Sequence, residues 1–518
     1  MTSTTVPEDN TSPDRGNSGA RQPALPPHLP GPVRRFVGRN RELEMLQDAL
    51  SRQGGPAVIY MTGAEGCGKS TLAAEAARRL VADKRYHQVV YTDFAGGGAL
   101  DAAAWELSAA LDETISPHAE NQLQLIREHL VSSPVLVIWN HLEALLPGGD
   151  APVPDAFLRE LLQAGGELFT DSLSKLVVIT ATNLPGFGMR DGILALPELP
   201  PLSDADAREL LESVEPPTMS PEAVERILLL SRNYPIAIQA LAALLHHFTL
   251  NDLETLYEQA APGAAGKGVW TGQQAHDLAL GAVWQVLAPA ARTACHGLAI
   301  FSAGAMERLV SQMEGIDAES WRRFRLLALQ SGLMALEQVA PLAIPYLRFH
   351  PVLQHFTQRY LTRDNRYHLH GWYCGSYLAL QKWIKEQEQR TSRELTGLRW
   401  CELPNYRRAF SLLLSSQQLT LIQEYAQVLG YTLDKFGLQQ EIEQINELMR
   451  ALLQTALPKE GPLPRAGVAF MLDQVNKMLD TGKGQQALSI LQPMCQRIER
   501  DDQLAYQGDD AETDRAGR

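Results

Sequence analysis

The sequence predicts an α/β domain built on a parallel sheet with helices on both faces, followed by a long remainder that is almost entirely helical. Three observations carry this expectation. Short apolar runs recur at 57–63 (AVIYMTG), 88–94 (QVVYTDF), 134–140 (PVLVIWN), 175–182 (KLVVITAT) and 193–199 (ILALPEL). Helically periodic stretches such as STLAAEAARRLVADK lie between most of them, and strands that alternate with amphipathic helices imply parallel pairing with both faces buried. After Leu199 the sequence turns to helical periodicity.

Each segment follows in order. Residues 1–33 are rich in Pro, Ser, Thr and Gly and have no apolar h-region, so they read as a disordered leader and not as a signal peptide. The α/β domain then occupies 34–200. SDADARELLESV opens on Ser203 with Asp206 three residues on, an approximate capping box. With further helical stretches at about 221–231, 235–247 and 251–259, it predicts a helical bundle over 201–262. APGAAGKG (261–268) reads as a linker.

In 268–362, helices precede two short extended runs, LMALEQV and YLRFH, joined by APLAIP, and a helix starts near Pro351. Helices followed by a hairpin predict a winged helix. From 363 to 500 the pattern is helical, and LGYTLDKFGLQQEIEQINELM and VNKMLDTGKGQQALSILQPM fall on one frame. Gly437 and Gly482 each precede a small or apolar residue of the next helix, Ile442 and Ala487, at the helix–turn–helix spacing of a tetratricopeptide-like repeat. Repeats of this kind bury their faces by stacking roughly three or more units, so a chain ending in the acidic, disordered tail 501–518 reads as cut short.

Bulk properties exclude several functions. A formal net charge of -14 over 518 residues argues against a broad electrostatic grip on nucleic acid. The five cysteines are odd in number, scattered and without a CxxC pair, which fits reduced thiols better than disulfides or a zinc site. No apolar run reaches the roughly 18–20 residues that span a bilayer. A cytoplasmic protein with no membrane partner is expected.

The chemistry is concentrated in GAEGCGKST, which fits G-x-x-x-x-G-K-[ST] with Gly63, Gly68, Lys69 and Ser70. Glycines let such a loop curl so that successive backbone N–H groups point at phosphate oxygens, and the following helix adds the positive end of its dipole. Lys69 would bridge the β and γ phosphates and Ser70 would offer its hydroxyl to Mg2+. The motif sits between an apolar strand and an amphipathic helix, as the mechanism requires. Cys67 lies inside the loop, either as a small side chain packed under the turn or as a thiol whose oxidation would block phosphate binding.

With FVGRNRELEML (36–46) about two dozen residues upstream, the chain resembles the signal-transducing ATPases with numerous domains, the STAND proteins, and among them the bacterial NB-ARC-type branch that carries tetratricopeptide repeats. The resemblance covers roughly 34–360. It rests also on NHLE, VVITAT, ELPPLSDADARELL, RNYPIAIQAL, LRFHP and ELPNYRRAF, in the family's order. What it implies is ATP or ADP held at this loop. Val37 and Arg39 would lie near the adenine, and Gly66, Gly68, Lys69, Ser70 and Thr71 would hold the phosphates. Pro235 would pack on the base, and His350 would touch the β-phosphate in a closed state. Bland readings stand beside two of these: Arg39 as a solvated cation, and His350 as a strand terminator that satisfies a backbone carbonyl.

Two positions depart from the family. Asn140 stands where the metal-holding aspartate is expected, and Thr182 where an arginine would reach the γ-phosphate, leaving neutral hydroxyls at Thr180 and Thr182. An asparagine keeps one acceptor oxygen but no charge. Losing a charge-assisted hydrogen bond is worth about 1.5–3 kcal/mol, so turnover would fall about 10- to 100-fold or more. Ser70 and Asn140 would be the Mg2+ contacts, and Lys69, Asn140 and Glu143 the catalytic set. Glu143 either positions a water or metal or caps the following loop; Asp93, ending the second strand, either compensates for the lost charge or serves the surface.

The expected function is therefore a nucleotide-dependent switch, at most a slow Mg2+-dependent ATPase. It would have a protein partner on the C-terminal repeats and nucleotide-dependent self-association. Two alternatives remain: a winged-helix DNA-binding regulator using WRRFR (321–325), and a repeat scaffold with no nucleotide.

Overall fold

The computed structural model describes residues 25–26, 29–31 and 36–456 except 53, 97–99, 112–121, 146–168, 170–171, 185–191, 215–218, 261–271, 286, 288, 290–291, 293–294, 303, 314–315, 340–341, 392–394 and 415–417. It also describes 468, 471–472, 475–476, 479 and 484–500. Most of the expected leader, the linker at 261–268, Gly482 and the tail at 501–518 lie outside the described residues.

The N-terminal part contains α1 (Asn40–Ser51), β1 (Val58–Thr62), α2 (Lys69–Ala82), β2 (Gln88–Asp93), α3 (Leu100–Leu111), α4 (Gln122–Ser132), β3 (Val135–Asn140), β4 (Lys175–Thr180) and β5 (Ile193–Ala195). All five expected strands form, and they pair in parallel in the order β2-β3-β4-β1-β5. Period-two alternation sends Ile59 and Met61 to the face covered by α1 and α2, and Val58 and Tyr60 to the face covered by α3 and α4. The chain leaves β1 for the far edge at β2 and returns strand by strand, then crosses to β5 on the other side. Open parallel sheets bind ligands outside the carboxyl ends of their strands where the order reverses, and β1 ends at such a point.

The next helices are α5 (Asp204–Ser213), α6 (Pro221–Ser231), α7 (Pro235–Leu244) and α8 (Leu250–Ala260). Ser203 accepts a hydrogen bond from the Asp206 N–H, the cap the sequence predicts, and Ser220 caps the next helix in the same way through the Ala223 N–H. PIAIQALAAL in α7 is apolar on nearly every side, and such a helix must be buried all round. Ile236, Ala237, Ile238 and Ala240 through Leu244 are all buried.

After α9 (Gly272–Gln285) come β6 (Gly304–Met306), α10 (Glu307–Ser311), α11 (Ala318–Gln330), β7 (Met334–Val339), β8 (Ile344–Phe349) and α12 (Pro351–Gln358). The expected hairpin is β7–β8, in antiparallel register from Met334 opposite Phe349 to Val339 opposite Ile344. The third strand, β6, pairs antiparallel with β8 and was not expected, because three residues carry no readable alternation. Two of the three arginines of WRRFR are in ion pairs, Arg323 with Glu319 and Arg325 with Glu307, while Trp321 and Phe324 face the core.

The remaining described helices are α13 (Arg363–Thr391), α14 (Thr396–Leu414), α15 (Leu419–Lys435), α16 (Gln439–Ala456) and α17 (Gly484–Arg500). Gly437 takes a φ of 69° between α15 and α16, the left-handed conformation that closes a helix end at low cost for glycine. One apolar core runs from Val37 and Leu202 through the small sheet to Met449. This core includes residues on both sides of the boundaries expected at 262 and 363. Among the described residues no helix is long and apolar enough to cross a membrane.

A buried polar knot ties α14 to β6 and α13. Glu402 accepts from the Met306 N–H at 2.8 Å and from Tyr377 Oη at 3.0 Å. Asn405 donates to the Gly304 carbonyl at 2.8 Å and accepts from Tyr373 Oη at 2.8 Å. Burial pushes the Glu402 carboxyl up to about 7, although these donors pull the other way. A carboxyl raised above its ordinary 4.5 contributes stability that is fully present below that value and is lost as pH rises through about 7. Glu402→Gln removes this titration. Between about pH 5 and 8 the wild type should lose roughly 1–3 kcal/mol more unfolding free energy than the variant. Denaturant melts at both pH values read it; parallel wild-type and variant losses would contradict it.

Candidate functional site

The expected phosphate loop lies between β1 and α2. Gly68, with φ 98°, precedes Lys69, the first residue of α2, so the loop turns directly into a helix N-terminus. Lys69 is buried, and its ammonium donates to the Gly63 carbonyl at 2.6 Å and the Ala64 carbonyl at 3.0 Å. These bonds hold the charge at the loop's mouth, where a phosphate oxygen could take over either one.

Around the loop is a cavity of about 980 Å³, at the upper end of the range of small-molecule sites. It brings together most of the expected residues: Val37, Arg39, Gly66, Gly68, Lys69, Ser70, Thr71, Asn140, Pro235 and His350 all line it. Their sources are spread across the fold, from the segment before α1 to the starts of α7 and α12. Trp400, Pro404 and Arg407 of α14 extend the wall. Gly63 and Glu143 stand outside the lining. Gly63 contributes its carbonyl to Lys69, and Glu143 lies in the turn Leu142–Leu145 with one carboxylate oxygen shut from solvent and unpartnered.

Arg39 is no solvated cation. It is buried, and its guanidinium donates to the Cys67 carbonyl at 3.2 Å and to the Pro200 carbonyl, which staples the phosphate loop to the segment entering α5. Cys67 is also fully buried, and burial pushes its thiol up, against the charges of Lys69 and Arg39. That removes the thiolate character an oxidation switch needs and favours the packed reading.

His350 does two things. Its N–H donates to the Leu333 carbonyl at 2.9 Å and its Nδ1 caps α12 by accepting from the Val352 N–H at 3.3 Å, as the bland reading held. It also lines the cavity. Burial, followed by the charges of His141 and His276, lowers its imidazole to about 3, so it is neutral at pH 7. With Nδ1 accepting, the proton sits on Nε2, which remains a donor for an anionic ligand.

Asn140 ends β3 in the neighbourhood the resemblance implies. Its Oδ1 accepts from Ser70 Oγ at 2.9 Å and its amide nitrogen donates to Tyr91 Oη at 2.8 Å. Asp93 is register-paired with Asn140 across β2–β3 and lines the cavity. It bonds His141 Nδ1 at 2.8 Å. Burial raises the Asp93 carboxyl, but the His141 charge and hydrogen bond and the Ala95 N–H outweigh it and leave it lowered. His141 responds in kind: burial lowers it, and Asp93 more than restores it. An ion pair thus stands beside a neutral amide at the metal position. For Mg2+ the residues offer a hydroxyl and an amide oxygen, a weak donor set beside a carboxylate already engaged. Thr180 is turned away: its hydroxyl donates to the Thr182 carbonyl at 2.7 Å and meets Tyr60 Oη at 3.1 Å, and the cavity is lined instead by Ala181.

Three cavity groups had no motif to announce them. Tyr91 and His141 flank Asn140, and their neighbourhood is set by strand register. Glu65, inside the loop, bonds His355 Nδ1 at 3.1 Å.

Comparison with known proteins gives the family of this region. Residues 35–249 match the family model described as AAA ATPase domain. This segment has the P-loop NTPase fold. The ATPase domain carries the whole phosphate loop, the five-stranded sheet and α5 to α7. No curated protein matches the chain. Among solved structures, a STAND protein with a tetratricopeptide repeat sensor from Pyrococcus horikoshii is similar at 14% identity and a TM-score of 0.53, covering 90% of this chain. The chain spans 65% of that protein's length, and the likeness establishes the shared fold. Weaker likenesses are to CDC6P from Pyrobaculum aerophilum, at 14% identity and TM-score 0.35 over 65% of this chain and 98% of that one. Another is to an ORC2 protein from Aeropyrum pernix, at 15% and 0.31 over 62% and 93%.

Proposed function

We propose that this chain is an ATP- or ADP-binding signal-transduction switch of the STAND type, with Mg2+ held weakly and hydrolysis slow or absent. The observation that carries the reading is the composition of the cavity wall. A phosphate chain on Lys69 would sit against Pro235 of the helical bundle, His350 beside the small sheet and Arg407 of α14. A nucleotide there would border the helical bundle, the small sheet and α14 together, so its exchange would change contacts among them. A ligand shifts an equilibrium by its differential contacts with the two states, and this wall supplies such contacts.

In this reading Val37 and Arg39 border the adenine, and Gly63 to Thr71 carry the phosphates. Ser70 and Asn140 meet Mg2+, and Glu143 is the candidate water-positioning group. The segment 268–362 acts as a winged helix of the NB-ARC kind. The helices of 363–500 act as tetratricopeptide-like repeats that take a protein partner, and opening leads to self-association in the cytoplasm. Ion pairing of Arg323 and Arg325 supports a protein output over DNA binding.

Denaturing the purified full chain and identifying what is released tests the reading. ADP or ATP should appear at about one per chain. Lys69→Ala, tested by adding nucleotide to the folded variant, should weaken binding about 100-fold or more, because a buried cation-phosphate contact is lost. A folded wild type that neither releases nor takes up nucleotide would refute the switch and leave the scaffold reading.

A further inference from the structure

A second cavity, of about 780 Å³, opens beside the phosphate loop, with Glu65 shared between the two. Glu65 forms one wall; the others are His355 and Arg359 of α12, Arg366 and His370 of α13, and Arg408 of α14. On a chain with a net charge of -14, five cationic or titratable basic side chains around one cleft need an explanation.

Two of the five are already neutralised. His355 meets Glu65 at 3.1 Å, and Arg359 pairs with Asp277. The rest are not. Among the described residues Arg366 has no ion pair, and it is exposed. Arg408 gives one N–H to the Ala299 carbonyl at 3.2 Å, while its Nε is shut from solvent with no acceptor. Burial lowers His370, and the charges of Arg366 and Arg408 lower it further, so the three groups feel one another inside the same cleft. Like charges gathered without counter-ions raise the free energy of the folded state, and an anion in the cleft relieves it.

We propose that this cleft is a binding site for a small anion bearing two or more phosphate groups, separate from the nucleotide cavity. Arg366 and Arg408 come from different helices and present planar forks, the geometry that grips phosphate oxygens two at a time. The volume is that of a small-molecule site, which favours a free polyphosphorylated compound over a nucleic-acid backbone. His355 engages the Glu65 carboxylate at 3.1 Å, which offsets that negative charge at the cleft.

The site is independent of nucleotide binding at Lys69, and the test keeps the two apart. Inorganic tripolyphosphate is titrated calorimetrically, at about 0.15 M ionic strength where the Debye length is short, into the full-length Lys69→Ala chain. Saturable binding near one per chain is expected. Adding Arg366→Glu should weaken it about 10- to 100-fold, the loss of one charged hydrogen-bonding partner. Arg366→Lys should weaken it less. Arg366 is exposed and unpaired, so thermal melts of these variants should match their parent. Absence of binding to the Lys69→Ala chain, or equal binding with Arg366→Glu, overturns the proposal. So does a duplex DNA probe that displaces tripolyphosphate from the cleft with higher affinity and loses its own binding with Arg366→Glu.

Discussion

Asn140→Asp should raise Mg2+-dependent ATP turnover about 10- to 100-fold, the rate equivalent of regaining a charge-assisted contact worth about 1.5–3 kcal/mol. The environment is ready for the charge. Ser70 Oγ, 2.9 Å from the present Oδ1, can keep donating. Tyr91 Oη, 2.8 Å from the amide nitrogen, can rotate its hydrogen to donate instead of accept. The amide nitrogen also lies 2.9 Å from His141 Nδ1, and that nitrogen donates to Asp93 when protonated, so two donors now face each other. A carboxylate would accept from both neighbours and hold His141 more firmly charged. Steady-state phosphate release by wild type and variant at several Mg2+ concentrations measures it, with the metal dependence shifting to lower concentration in the variant. Ordinary ATPase turnover by the wild type, unchanged in the variant, would show that position 140 does not limit the metal site.

The sheet was readable because its strands carry two independent signals, apolar runs of strand length and turn or helix signals between them. Both faces are buried, so the runs are continuous and survive without knowledge of register. The phosphate loop was readable because its chemistry depends on backbone shape, which glycines write directly into sequence. What surrounds Asn140 was not readable. Tyr91 and Asp93 reach it because β2 pairs with β3 with Asp93 opposite Asn140, and pairing between distant strands leaves no local mark. Thr180 shows the opposite limit: the sequence supplied the hydroxyl but not its direction, and Tyr60 and the Thr182 carbonyl take it inward. The continuous core from α5 to α16 was hidden for a similar reason, since composition marks linkers but not how the helices they join pack together.

Gly66→Ala should be strongly destabilising. Gly66 has a φ of 70°, a conformation that costs an alanine about 1–2 kcal/mol. A β-carbon there would also lie 2.5 Å from Ile236 Cγ2 and 2.9 Å from His276 Nε2. Neither neighbour can yield cheaply. Ile236 is packed at the start of α7, and His276 is 2% exposed on α9 with both ring nitrogens unpartnered among the described residues. Burial lowers that imidazole to about 4, so it enters the contact neutral and makes an edge-on contact with Tyr234. Overpacking of this kind adds about 1–3 kcal/mol, for a total of about 2–5 kcal/mol. The strain has one outlet: the phosphate loop must separate from α7 and α9. Thermal unfolding should therefore begin roughly 5–15 °C lower, and a protease should cut the variant faster near the loop. A double-mutant cycle separates the two causes. In an Ile236→Ala background the added methyl should cost less, keeping the backbone share of about 1–2 kcal/mol and the His276 contact but losing the Ile236 one. An undiminished cost there would mean that the loop is not pressed against the helical bundle, and with it would fall the wall that sets the bundle, the small sheet and α14 around one nucleotide.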